Sequence, residues 1–361
     1  MTPSDPTSAL ALLARLYQLS IGKWLAMLLA PSSSFSILSL LCALGVAMLV
    51  LALRRRARGR PVRLGVIWRG LFPKGRWASP SARADIGFFL FNTLIYGLLF
   101  AWLAISAKAV AGVVAGGVGV AIGPPPLSGL DPTLARIIAT LGLFLAYELA
   151  FWTDHFLSHR IAFFWAFHKP HHTAATLSPL TNFRLHPVEM IKFTNILALF
   201  LGVASGLLSA LFGARISGFS IGDRNAVLLV FTLLVLHLQH SHLWIAATGA
   251  WGRILLSPAH HQIHHSMDLA HFNKNFGSYL SIWDWMFGTL CLPTRERPRL
   301  TFGVSPAGPA QHSLTGCLIT PFVEAFAPLT RRIARLAPRQ HGARSPRPLE
   351  AAARTNSRAQ S

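Results

Sequence analysis

Fourteen of the sixteen histidines in this chain lie between His155 and His271, and their spacing is not random. His155-Phe-Leu-Ser-His159 is an i, i+4 pair, which puts two imidazoles on one helical face. His168-Lys-Pro-His171-His172 supplies i, i+3 and i+4 rings that converge if the segment is helical, although Pro170 predicts a helix that starts at or near it. His261-Gln-Ile-His264-His265 repeats the pattern with no proline in the way. His237, His240 and His242 close an apolar run and can point at the same place, and His186 and His260 lie beside the main clusters.

A single histidine near a membrane boundary reads as a hydrogen-bonded polar residue. Two His-x-x-His-His repeats with a His-x-x-x-His are different, because so many rings packed together are costly unless a bound cation holds them neutral. Imidazole suits iron, zinc, copper and nickel. A mononuclear zinc site uses three or four protein ligands, so eight or more candidates imply two metals. Neither the Glu-x-x-His pairs of carboxylate-bridged bundles nor the His-Glu-x-x-His of zincin proteases occurs. Carboxylates flanking the rings, Glu148, Asp154, Glu189, Asp268 and Asp284, are candidates to accept the second ring N–H. Asp284 beside Trp283 reads equally as a helix-start cap with an interfacial aromatic.

The elements that must position these rings belong to a membrane protein. The chain is 52% apolar and 12% charged, with mean hydropathy +0.47, whereas soluble domains carry about a quarter charged residues. Uncharged runs at Ser32–Leu53, Ile86–Ala107 and Phe193–Ala214 are long enough to cross a bilayer, as is Thr133–Thr153 despite Arg136 and Glu148. A fifth begins over Asn225–Leu236 and continues into histidines. Leu10–Leu29 is a span or an interfacial helix rather than a removed signal peptide. The net charge of +21 excludes little by itself, but ten basic residues fall between Arg54 and Arg83 and others fill the tail. That distribution fits cytoplasmic loops and anionic membrane lipids, not nucleic acid. Cys42, Cys291 and Cys317 make no metal or redox spacing. Glycine-rich Ala109–Gly123 reads as small-residue packing or a re-entrant turn, and a full crossing there would invert every later span. With Arg54–Arg83 cytoplasmic, segments 154–192 and 237–361 share that side. The expected division is an N-terminal segment 1–33, membrane spans with the basic loop 34–135, a catalytic region 136–293, an extension 294–337 and a disordered basic tail 338–361.

The stretch Glu148–Glu189, with its His-x-x-x-His, Phe-His-Lys-x-His-His and Arg-x-His-Pro-x-Glu elements, resembles the fatty acid hydroxylase/sterol desaturase superfamily. Ser257-Pro-Ala-His-His-Gln-Ile-His-His265 is similar to that family's last histidine box, with Asn275-Phe-Gly277 and Trp283-Asp-Trp-Met-Phe-Gly-Thr289 downstream of it. The resemblance spans residues 140–293. It implies metal-ligand roles for His155, His159, His168, His171, His172, His261, His264 and His265, with His240 at the position of an additional upstream histidine. His186, His237, His242, His260 and Asn275 stand as ligands or near neighbours, together with the carboxylates above. Glu148 and Asn273 depart from the family, where aspartate is common, and His312 and His341 lie outside every motif.

The resemblance implies two non-haem irons, molecular oxygen, a lipid substrate and an external electron donor. The expected fold is all-α, a multi-pass bundle with a cytoplasmic helical cap carrying the boxes. Hydroxylation of a fatty acid, sterol-like or other lipid C–H bond is the first expectation and desaturation the second. The chain has no haem-binding His-Pro-Gly-Gly, no cysteine cluster and no nucleotide fingerprint. A separate ferredoxin- or cytochrome-type protein with its reductase must then supply electrons, and no haem or flavin is expected in this chain. The alternatives are a histidine-rich metal transporter, whose site should lie near the midplane, and a non-catalytic lipid-binding relative.

Overall fold

Proline sets the start of the helices that matter most. In the computed structural model, Ser79-Pro80, Asp131-Pro132, His186-Pro187 and Ser257-Pro258 each place a capping side chain before a proline at the first helical position. Proline costs nothing there, because its missing N–H would have had no partner inside the helix. The structure describes residues 21–22, 24–75, 78–213, 216–305 and 308–336, so residues 1–20 of the N-terminal segment and the tail 338–361 lie outside it. Met1–Ala325 forms one unit. Phe326–Ser361 forms a second, whose described residues are the end of a helix.

Among the described residues the architecture is all-α apart from one short antiparallel pair, β1 (Ser220–Ile221) and β2 (Arg224–Asn225). In order, α1 covers Ile37–Ala57, α2 Leu64–Leu71, α3 Pro80–Phe91, α4 Ala107–Ile122, α5 Pro132–Arg160 and α6 Ala162–His172. Then come α7 Pro187–Phe212, α8 Ala226–Phe231, α9 Gly249–Ile254, α10 Pro258–His264, α11 Ile282–Met286 and α12 Leu314–Leu336. Ile37–Ala57, Pro80–Ile122, Pro132–Arg160 and Pro187–Phe212 are long and apolar enough to cross a membrane, and Ala226–Gln239 is a shorter apolar helix. These segments make the chain an integral membrane protein.

Two of these paths differ from the sequence expectation. Ala109–Gly123 is not a re-entrant turn. It lies in α4, which continues the path of α3 beyond a π-helical turn at Asn92–Tyr96 and a break at Ala104–Ser106. Contacts climb the α3–α4 path and the segment 183–212 together. Asn92 Nδ2 donates to Phe183 and Leu185 O, Asn195 holds Leu103 O and Ile105 N, and Leu127 N reaches Leu211 O. The small-residue packing is also on the other partner. Most α4 glycines face open space, whereas a Cβ at Gly202 or Gly206 of α7 would stand 2.6 Å from Val110 or Val114. Helix α7 therefore uses two glycines four residues apart to let α4 approach closely.

The other correction concerns Pro170. It does not begin a helix but lies in the last turn of α6. A proline this late forfeits one hydrogen bond, and α6 ends two residues later.

Helix α5 runs back against α7, with Gly142 beside Leu208 and Lys192 at Asp154 and Ser158. Segment 226–239 follows α5, Phe231 stacking on Phe144 at 5.5 Å, and α1 follows it with Ala47 against Leu238 and Leu243. Arg54 at the end of α1 donates to Trp244 O. The basic loop and all three histidine boxes thus gather at one end of the bundle.

Candidate metal centre

Nine buried or nearly buried rings form two groups, and within each group one ligand nitrogen per ring lies within 4.8 Å of all the others. The first group is His155, His159, His168, His172 and His264; the second is His171, His240, His261 and His265. These are the nine residues to which the motif resemblance assigned ligand roles.

Helix geometry explains the division. The last two turns of α5 carry His155 and His159 on one face. In the last turn of α6, the i, i+4 pair His168/His172 enters the first group while His171, rotated from that face, enters the second. At the end of α10 the assignment reverses: His261/His265 join the second group and His264 crosses to the first. Each His-x-x-His-His thus gives a pair to one group and a single ring to the other. His240 follows the His237–Gln239 turn and completes the second group.

Distances in the second group test whether a cation fits. Nε2 of His240 lies 2.8 Å from that of His261 and 3.2 Å from those of His171 and His265, and the His261–His265 separation is 3.1 Å. An imidazole nitrogen offers one in-plane hydrogen or one lone pair, so His240 Nε2 cannot be satisfied by three neighbours at once. A metal about 2.0–2.1 Å from four tetrahedral nitrogens sets them about 3.3 Å apart, close to these spacings. The donor set fits a cation.

In the first group the far nitrogens are tied to protein. His155 Nδ1 donates to Phe276 O at 2.9 Å, His264 Nδ1 to Lys274 O at 2.8 Å, and His168 Nδ1 to the Glu189 carboxylate. This fixes the tautomer and presents Nε2 inward. Nε2 of His155, His159 and His264 has no hydrogen-bond partner although buried. Burial holds the rings neutral. His171 is pushed down to about 3, with His264 adding to the effect, and His264 itself to about 4. His168, His172, His240, His261 and His265 lie well below the ordinary histidine range, again chiefly through burial. Neutral imidazole is the ligand form.

The carboxylates have distinct tasks. Among the described carboxylates, only Glu189 hydrogen-bonds a clustered ring. Asp284 accepts from Phe276 N, Gly277 N, Trp152 Nε1 and Thr289 Oγ1, so it shapes the loop whose Phe276 carbonyl holds His155. Burial raises its pKa. The helix it enters is preceded by Ser281, so Asp284 is a loop hub rather than that helix's N-cap. Glu148 accepts from Tyr279 N and Leu280 N, one layer farther from the rings. Asp154 pairs with Lys192 at 2.7 Å, tying α5 to α7, and exposed Asp268 caps the Leu269–His271 turn. Asn275, in the left-handed region at φ 60, donates to His260 O and Cys291 O and accepts from Cys291 N. Asparagine tolerates this conformation better than most side chains.

His186, His237, His242 and His260 stand outside both groups. His186 caps α7 by accepting from Val188 N, and its Nε2 donates to Leu318 O. His237 Nε2 faces Ser34 O and Ser39 Oγ, His242 Nε2 donates to Gly70 O, and His260 Nδ1 accepts at Ser257.

Sequence reasoning missed a fully buried ion pair. Arg184 contacts Asp85 at 3.1 Å, and Asp85 also accepts from Ser178 and Thr181. The pair anchors the 178–184 turn beside His171. Arg184 is visible inside Arg-x-His-Pro-x-Glu, but Asp85 belongs to no motif and merely precedes the uncharged run Ile86–Ala107, so nothing in the sequence joins them.

A cavity of about 580 Å³ opens onto the rings. His159, His172 and His264 of the first group and His265 of the second line it, with Trp165, Met267, Leu269, Phe272 and Val304 on its apolar walls. Lys169 at the cavity is paired with Glu324. The arrangement can present an apolar substrate to both groups at once.

Residues 140–289 match the fatty acid hydroxylase family. Human alkylglycerol monooxygenase is 26% identical over 162 residues, covering 45% of this chain and 32% of the relative. Ornithine lipid hydroxylase OlsE of Rhizobium tropici is 29% identical over 164 residues, 45% of this chain and 42% of the relative. Alkylglycerol monooxygenase of Xenopus tropicalis is 26% identical over 178 residues, 49% of this chain and 36% of the relative. The chain thus matches less than half the length of these curated relatives, and no solved structure matches it. Both histidine groups fall inside this matched region, so the part of the chain that is similar to the fatty acid hydroxylase family is the part that carries the rings.

Proposed function

We propose that this protein is a membrane-bound lipid hydroxylase with a dinuclear iron centre, using molecular oxygen and electrons from a separate redox protein. The observation that carries the reading is the division of nine rings into two metal-sized groups around one apolar-walled cavity. His155, His159, His168, His172 and His264 would hold one iron and His171, His240, His261 and His265 the other. When bound, two irons supply the oxygen chemistry needed to break an unactivated C–H bond, which side chains alone do not perform.

The chain's own residues do the positioning. Glu189 and the carbonyls of Lys274 and Phe276 keep three Nδ1 protons in place, so each Nε2 stays available. The apolar walls bind an acyl or alkyl segment and exclude water. Polar Ser266, Asn273 and Lys169 line the same cavity and leave room for a headgroup. The gathered end of the bundle is assigned to the cytoplasm by its basic residues. Reporters fused after Leu130 and after Thr289 should therefore read as outside and inside respectively; the same reading from both would reject that orientation. Hydroxylation is preferred to desaturation because the relatives are named monooxygenase and hydroxylase. The transporter reading is disfavoured because the rings sit at helix ends rather than at mid-span.

The test is turnover with labelled oxygen. Purified protein given lipid and oxygen should be inactive until a reductant system is added, whereupon one labelled atom enters the lipid. A new double bond without label would indicate desaturation. Lipid turnover that needs neither oxygen nor reductant would reject the oxygenase reading.

A further inference from the structure

A second cavity, of about 430 Å³, lies behind the loop that carries Lys274 and has a different character. Trp152, Phe156 and Arg160 from the end of α5 line it with Phe272, Lys274 and Phe287. Arg160 is the last residue of α5, its guanidinium 5.5 Å from the Phe156 ring centre. Lys274 Nζ donates to Gly288 O at 3.3 Å, which uses one of its three hydrogens. Among the described residues neither cation forms an ion pair with a carboxylate. The acid beneath, Asp284, is buried and accepts from Phe276, Gly277, Trp152 and Thr289 instead.

The surroundings indicate depth as well as charge. Helix α5 is a candidate membrane span, and a cation at the end of a span lies at headgroup level. The rim is aromatic and exposed, with Phe272 at 51% and Phe287 at 54%. Two cations without acidic partners, framed by aromatic side chains at the end of a span, suit a phosphate whose acyl chains remain in the bilayer.

We propose that Arg160 and Lys274 form a binding site for the phosphate of an anionic glycerophospholipid from the surrounding leaflet. The site is separate from the histidine cavity and does not depend on the oxygenase chemistry. It reaches that chemistry through one residue, since the Lys274 carbonyl holds the His264 ring. An occupied site would steady the loop that orients this ring.

Native mass spectrometry of the full protein in neutral detergent tests the proposal. The probes are phosphatidylglycerol, phosphatidylcholine and inorganic phosphate. Phosphatidylglycerol should bind more tightly than phosphatidylcholine, and Arg160→Ala/Lys274→Ala should weaken it about twenty-fivefold, roughly fivefold per cation. The charge-keeping Arg160→Lys/Lys274→Arg pair should bind nearly as the unaltered protein. So should Arg58→Ala/Arg60→Ala in the basic loop. Circular dichroism of each variant separates misfolding from lost affinity. Unchanged phosphatidylglycerol binding by the double alanine variant would overturn the site. Equal affinity for inorganic phosphate would overturn its assignment to lipid. Neither failure would touch the labelled-oxygen test.

Discussion

The two ring groups are built from the same motifs yet held differently. In the five-ring group, three Nδ1 atoms are fixed by a carboxylate and two backbone carbonyls, and three of its rings reach the large cavity. In the four-ring group, Nδ1 of His240 and His261 has no hydrogen-bond partner, His171 leans on the backbone of Thr181 and Arg184, and of these rings His265 alone reaches that cavity. One group is oriented from behind and open in front; the other is enclosed and defined mainly by how closely its Nε2 atoms meet. Ligand orientation by outer partners raises basicity and affinity. The five-ring group should therefore be the tighter and more reactive of two unequal sites.

The largest expected effect comes from removing a ring. Protein from iron-replete cells should hold about two metal ions per chain. His155→Ala or His264→Ala should strip the first group, and His171→Ala or His261→Ala the second, each with at least about a hundredfold loss of turnover. Elemental analysis should read about one metal in each variant. Full metal content in any of them would remove that ring from the ligand set, and equal metal affinities at the two groups would erase the contrast.

Acid should act next, on both groups at once. Burial holds His171 near 3 and His264 near 4 in the folded protein, against an ordinary 6.5. Below 6.5 the unfolded chain therefore takes up protons that the folded one refuses. Stability is complete above 6.5 and is lost as pH falls toward 4 and then 3. Each such ring contributes about 1.4 kcal/mol of loss per pH unit in that window. Metal-free protein should thus melt at progressively lower temperature between about pH 6.5 and 5, and a flat profile would contradict the buried neutral cluster. Bound metal should flatten the curve until protons displace it.

Glu189→Gln probes the contrast itself, because it touches only the five-ring group. Loss of the carboxyl acceptor behind His168 should weaken metal binding there about ten- to a hundredfold and leave the four-ring group nearly unchanged. Equal loss from both groups would mean that Glu189 supports the fold at large rather than one ring.

Ring identity was legible in the sequence because i, i+4 spacing survives any arrangement of the helices. The pairing of rings was not. Adjacent His171 and His172 enter different groups, and this depends on the packing of α6 against α10, which are far apart in the chain. The spans were also readable, since apolar length is local, but the register between them was not. The close approach of α4 depends on Gly202 and Gly206 of α7, roughly ninety residues later, while the conspicuous glycines of α4 face open space. Pro170 shows the limit of a local rule, because its cost is small where a helix is about to end. Asp85 with Arg184 shows the limit of motif reading, since half of a buried pair lay outside every motif.

The smallest expected effect belongs to a ring that resembles a ligand in sequence and is placed elsewhere. His186 shares its segment with Glu189, yet both of its nitrogens are engaged. Nδ1 accepts from Val188 N at 3.1 Å, so the proton resides on Nε2, which donates to Leu318 O at 3.0 Å. Burial pushes this ring down to about 4, which keeps that neutral tautomer at ordinary pH. A nitrogen that must accept from backbone and another that must donate leave none for a metal. His186→Ala should therefore leave metal content unchanged and lower unfolding stability by about 1 kcal/mol, the usual cost of losing a helix cap. His186→Asn retains a capping acceptor and should recover part of that loss, which a ligand could not do for metal. If His186→Ala instead releases a metal ion, the ring belongs to a group, and the two-group division needs a tenth member.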